Sequence, residues 1–166
     1  MKHFDRWLYF DLETFCETPI KDGTHRYAEG VEVLIAAWAL DDPLFGEGEI
    51  HVEDLTDYDG NGVEQFSDDL LAHLADPTIG VVIHKSDFDR TVSRHAMGLV
   101  IDPSRIVDTM VQAMAHGLPG ALDKLSTIYK LGDEGKDKGG KDLIRLFCVP
   151  APKNQKLRRR TKNEFP

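Results

Sequence analysis

Asp11 and Glu13 stand two residues apart at the end of an apolar run, in the order Asp11-Leu12-Glu13-Thr14. Residues i and i+2 of a strand share a face, so both carboxylates would converge at the strand's end. Two such acids repel each other unless a cation lies between them, and hard divalent ions such as Mg²⁺ favour oxygen ligands of this kind. A two-ion hydrolytic site, with ions about 3.5–4 Å apart, asks for roughly three or four carboxylates. A further acid in matching context is Asp89, which follows an apolar segment and then His84-Lys85-Ser86-Asp87-Phe88. Neither feature is specific alone. The chain has 29 acids, so an acid-x-acid triplet arises readily by chance, and an acid at a helix start also complements the helix dipole.

The elements that must position these acids are legible as hydrophobic patterns. Residues 7–12 read as a strand that meets the acids at its end, 31–40 as a second strand stopped by Asp41-Asp42-Pro43, and 50–52 as a weak third. Short links suggest an antiparallel meander. Val63, Phe66, Leu70, Leu71 and Leu74 then recur at helical spacing until Asp76-Pro77. Residues 79–83 read as a buried strand, and Phe88, Val92, Ala96 and Leu99 as the apolar stripe of a helix that places Phe88 on the core and Asp89 toward the strand end. Ile106-Val107 forms a brief last strand with a helix start at Asp108-Thr109; Leu118-Pro119-Gly120 breaks that helix before a new one at Leu122, Leu125 and Ile128. Residues 131–141, rich in glycine and charge, read as a loop. The order is three strands, then strand–helix alternation, then helices.

Composition limits the function classes. A chain of 166 residues with 41% hydrophobic and 30% charged residues is globular and of single-domain size. Its net charge of −9 gives no long-range attraction to nucleic acid or anionic lipid. Contact with a polyanion must then run through bound cations or a local basic patch. Residues 150–166 supply one patch, Lys153, Lys156, Arg158, Arg159, Arg160 and Lys162 against Glu164, which reads as a flexible arm. Cys16 and Cys148 have no CxxC partner, so the sequence fits a reduced, intracellular protein without a disulfide framework. With no apolar run long enough to span a bilayer and no signal-peptide pattern, no membrane association is expected. His84, His95 and His116 lack metal-ligand spacing, and Trp7 and Trp38 read as core residues.

The D-x-E-T at the end of a first strand, followed some seventy residues later by H-x-x-x-F-D, resembles the first two motifs of the DEDD 3′-to-5′ exonuclease family. Tyr27-Ala28-Glu29, Val107-Asp108-Thr109-Met110, Leu122-Asp123-Lys124-Leu125 and the stretch from Lys136 to Cys148 extend the resemblance to the proofreading exonuclease domain of phage-type family A DNA polymerases. It implies an α/β, RNase H-like mixed sheet, three antiparallel strands then two parallel ones, flanked by helices. The domain would span 1–149. The resemblance further implies that Asp11, Glu13 and Asp89 are catalytic metal ligands for two Mg²⁺ or Mn²⁺ ions, with Asp11 bridging them, Glu13 on the ion that activates water and Asp89 on the second. Thr14, Lys85, Phe88 and Asp108 would contact the nucleic acid, Asp108 having a rival reading as a helix N-cap. The implied substrate is a single-stranded DNA 3′ end, the implied partner a polymerase domain or separate polymerase chain, and the implied setting DNA replication in the cytoplasm of a phage-infected or prophage-carrying bacterial cell.

Two departures bear on activity. Lys85 stands where the family has asparagine, and an ammonium cannot accept a hydrogen bond as an amide does. The family's third motif, a Tyr or His followed by Asp on a C-terminal helix, would fall after the basic tail, beyond Pro166; Tyr129-Lys130-Leu131-Gly132-Asp133 has the spacing but belongs to the preceding helix, which Gly132 ends. Residues 1–166 alone are therefore expected to be weakly active or inactive. The rival readings are a non-catalytic module of the same fold that binds nucleic acid or a polymerase, and an RNA-directed DEDD exonuclease.

Overall fold

The computed structural model describes residues 3–42, 48–56, 65–132 and 139–150. Its centre is β1 (Arg6–Phe15), where Leu8, Phe10 and Leu12 alternate into the core while Tyr9, 48% exposed, and Asp11 face the other way. β2 (Glu32–Asp41) pairs antiparallel with β1, and β3 (His51–Asp54) antiparallel with β2. β4 (Ile79–Ile83) lies parallel to β1 on its other side, and β5 (Ile106–Asp108) parallel to β4. The sheet order is β3-β2-β1-β4-β5. Three antiparallel strands followed by two parallel ones is the expected arrangement.

The link from β1 to β2 is longer and more ordered than a simple meander turn. It holds a 3-10 turn (Ile20–Asp22) and a five-residue helix, α1 (Thr24–Ala28), whose Tyr27 and Ala28 are buried. So short a helix leaves no periodic stripe in the sequence. α2 (Asp68–Ala75) begins later than the apolar spacing suggests, because the Ser67 hydroxyl accepts from the Leu70 N–H and caps it there. Phe66 is buried ahead of that cap, and Val63 lies outside the described residues. Glu53 of β3 ties this corner together, accepting from the Trp38 indole at 2.7 Å and from the Ser67 N–H at 2.9 Å.

α3 (Ser86–Met97) buries Asp89, Thr91, Val92 and Ser93 and ends at Gly98 in the left-handed region, with the Leu99 N–H closing on the Ser93 carbonyl. α4 (Thr109–Ala115) and α5 (Leu122–Tyr129) follow. At the end of the segment expected to be a loop, 131–141, a helical turn begins, α6 (Gly140–Leu143), continued by a π-helical turn at Ile144–Cys148. The basic tail, apart from Pro150, lies outside the described residues. Trp38 is buried as expected, whereas Trp7 is only half-buried.

Arg105 is a buried cation, 5% exposed. Its guanidinium donates to the carbonyls of Ile79 (2.8 Å), Leu74 (2.7 Å) and His73 (3.2 Å), fastening the C-terminal end of α2 to the start of β4. Arg105→Ala would leave buried carbonyls unpaired and open a cavity. The expected loss is about 3 kcal/mol of unfolding free energy by urea titration, with Arg105→Lys recovering only part of it; an unchanged midpoint would show that these bonds contribute nothing.

Candidate active site

The residues singled out in the sequence gather at the C-terminal ends of the parallel strands, Asp11–Thr14 in the last half of β1, Lys85–Asp89 just after β4 and Asp108 at the end of β5, where ligands bind in open α/β sheets. β1 pairs with β4 only as far as Tyr9, yet it stays paired with β2 out to Phe15. Residues 11–15 thus run past the end of β4, beside the turn into α3. The β1–β2 register also slips between Glu13 and Thr14. Irregularities of this kind re-aim side chains next to functional sites.

Asp89, on the first turns of α3, is only 3% exposed, and its Oδ1 has no hydrogen-bond partner. Burial pushes its carboxyl up to about 7, the neighbouring Asp11 charge pushes the same way, and the backbone N–H groups of Asp89 and Leu12 only partly oppose them. Asp11 and Asp89 are therefore brought together.

Glu13 has a different neighbour, because the Cys148 thiol donates to its Oε2 at 3.7 Å. Burial and the Glu13 charge raise that thiol to about 11, which keeps the proton needed for the contact. Among the described residues no three His, Cys, Asp or Glu side chains converge as ligands of one ion.

The turn that presents Asp89 is fixed from β5. Asp108 Oδ1 accepts from the N–H groups of Lys85 (3.2 Å), Met110 (2.9 Å) and Val111 (3.1 Å), and its Oδ2 from that of Ser86 (2.7 Å). Burial raises its carboxyl, but the bonds from Ser86, Val111 and Lys85 outweigh burial and hold it below the ordinary value. Asp108 therefore caps α4 and shapes the α3 entry, which is its N-cap reading. Lys85 is exposed, with a φ of 68° that is uncommon outside glycine. His84 shares a 2.9 Å hydrogen bond with Thr109.

Beside the carboxylates lies a cleft of about 610 Å³ whose walls include Glu13, Thr14, Tyr27, Phe88, Ile144 and Cys148. Phe88 is half-buried against the core and inclined to the Tyr27 ring at 5.8 Å. As expected, Phe88 packs on the core and Asp89 faces the end of β1; Asp89 is the more deeply buried of the two. Thr14 and the Tyr27 hydroxyl share a buried 2.8 Å hydrogen bond. Burial raises the Tyr27 pKa, so the phenol stays neutral. The structural roles of Tyr27 and Cys148 carry no spacing signal, since both reach the cleft from distant segments. Tyr129 is exposed, α5 ends at the left-handed Lys130, and Asp133 lies outside the described residues.

A divalent cation suits this chemistry. A buried carboxylate with an unpartnered oxygen, beside a second carboxylate, is stabilised by a proton or by a hard cation. In an unfolded chain Asp89 would ionise near its usual 3.8, but in the fold it holds its proton until about 7. The folded chain binds the extra proton between those values, so metal-free stability is greatest below the lower value and falls as pH rises through the upper one. Full ionisation costs on the order of 4 kcal/mol. Asp89→Asn is expected to raise the metal-free melting temperature by about 10 °C near pH 8 and to do little near pH 4. Mg²⁺ is expected to stabilise the parent chain at pH 8 and not the variant. Melting that ignores both pH and Mg²⁺ would contradict this reading.

The chain is 31% identical over 159 residues, 94% of its length, to the DNA polymerase of Bacillus phage SP02, and it spans 23% of that polymerase. No protein-family model matches it. Among solved structures it resembles Brucella melitensis NrnC with bound Mg²⁺ (TM-score 0.54, 19% identity, 81% of this chain and 58% of the other). The same protein bound to pGG matches with a TM-score of 0.55 at 18% identity, over 81% and 57% of the two chains. At these identities the structural matches establish the fold. With a segment of a phage DNA polymerase aligned along nearly its whole length, the chain is homologous to that part of the polymerase, and its fold is RNase H-like, with D-x-E-T on β1 and F-D on α3 just after β4.

Proposed function

We propose that this chain is a divalent-cation-dependent 3′-to-5′ exonuclease domain that removes the terminal nucleotide of a single DNA strand, as the proofreading partner of a polymerase. The observation that carries the reading is the buried Asp89 carboxyl, with an unpartnered oxygen and its pKa raised beside Asp11, close to a cleft that can take a nucleotide. The homology to a phage DNA polymerase supports the polymerase partner.

Thr14 and Phe88 would hold the terminal nucleotide, the ring against base or sugar and the Tyr27 hydroxyl keeping Thr14 in place. Water attacks the terminal phosphorus, the bond to the 3′ oxygen of the preceding nucleotide breaks, and that oxygen leaves with a proton. The products are a nucleoside 5′-monophosphate and a shortened strand ending in a 3′ hydroxyl. Asp11 and Asp89 would hold the divalent ion, with Glu13 joining them once its carboxylate leaves Cys148. Mg²⁺ or Mn²⁺ supplies Lewis-acid polarisation of the phosphoryl oxygen and a more acidic water. Lys85, exposed at the α3 entry, would contribute a positive charge toward the phosphate.

One observation favours the non-catalytic alternative: Glu13 is engaged by Cys148, and no three-ligand cluster is assembled among the described residues. The deciding experiment incubates 5′-labelled single-stranded DNA, and RNA in parallel, with the chain and Mg²⁺ or Mn²⁺. Slow stepwise shortening of DNA, weak because the third motif is missing from residues 1–166, that is lost in both Asp11→Ala and Asp89→Ala is the expected result. Binding without shortening would identify a binding module, and preferential shortening of RNA an RNA-directed enzyme.

A further inference from the structure

A second recess, of about 520 Å³, opens on the other side of the α1–α3 junction. His25, Asp87, Arg90, Arg94, His95 and Ile101 are among the residues that line it. Arg90 and Arg94 are one turn apart on α3 and so share a face. Among the described residues neither guanidinium lies within ion-pair distance of a carboxylate, Asp87 included. The His25 and His95 rings meet edge to face at 6.1 Å and form one wall. Two arginines with no carboxylate partner among the described residues thus share one concavity of a chain whose net charge is −9. Their planar forks match the oxygen geometry of a phosphate.

The recess and the catalytic cleft are built from the same two helices. Tyr27 and Phe88 face the cleft, while His25 and Asp87, close by on α1 and α3, line the recess. We infer that Arg90 and Arg94 bind a backbone phosphate of a nucleic-acid strand whose 3′-terminal nucleotide lies in the cleft. The inference rests on the proposed function and adds to it an anchor that recognises strand length rather than the reacting end. It also gives an acidic chain a local, salt-sensitive grip on a polyanion.

The test is fluorescence anisotropy with 5′-labelled oligothymidylates carrying phosphorothioate linkages that resist hydrolysis, in Mg²⁺, at lengths of two and about ten nucleotides. The proteins are the parent chain, Arg90→Ala/Arg94→Ala and Arg90→Lys/Arg94→Lys, each checked for an unchanged melting temperature. The alanine pair is expected to lose about tenfold in affinity for the longer strand and nothing for the dinucleotide. Its slope of log affinity against log salt should flatten by about 1, and the lysine pair should keep the slope with intermediate affinity. Equal affinity of parent and alanine pair for the longer strand overturns the inference and leaves the nuclease reading intact. So does equal loss at both lengths. If inorganic phosphate binds through these arginines while longer-strand affinity is unchanged, the recess is a free-anion site and the strand assignment is wrong. A parent chain that binds neither strand removes the proposed function and this inference together.

Discussion

The structure turns on one electrostatic constraint: a carboxylate, Asp89, held almost out of water beside a second carboxylate, Asp11. Among the described residues no cationic side chain forms an ion pair with Asp89. In that position an acid either keeps its proton near neutral pH or takes a cation, and the two states compete for the same oxygen. What would be a defect in a structural core becomes, at the mouth of a cleft, a reason to bind a hard ion.

The rest of the fold holds that pair in place. β1 overruns β4, so its acids arrive where α3 begins, and the register slip after Glu13 turns Thr14 into the wall of the cleft. Asp108 grips the backbone of Lys85 and Ser86 and so sets where Asp89 enters the helix. The buried Arg105 fastens α2 to the start of β4 from behind. Each of these interactions links a strand end to a neighbouring element, so the site is supported by the sheet and not by a loop.

Much of this was readable from residues alone. The short apolar and aromatic run at 7–12 gave away β1, and the apolar segment before His84 gave β4, because short apolar runs bounded by polar residues mark buried strands. The placement of Asp11 and Asp89 at the ends of those strands followed. α1 was invisible because five residues hold no period, and α2 was drawn too long because apolar spacing runs through Phe66 while the Ser67 cap stops the helix. The depth of Asp89 is not legible in the pattern, since a helix stripe does not say how far a strand end reaches beneath it. The contacts of Cys148 with Glu13, and of Tyr27 with Thr14, join residues remote in sequence with no spacing to announce them.

The most direct test of this account is the titration of the Asp89 carboxyl itself, followed by carbon NMR of chain labelled at aspartate and assigned with Asp89→Asn. The account predicts a midpoint near 7 without metal, and a fall in that midpoint, with proton release, when Mg²⁺ is added. A midpoint in the ordinary aspartate range that Mg²⁺ does not move would contradict it.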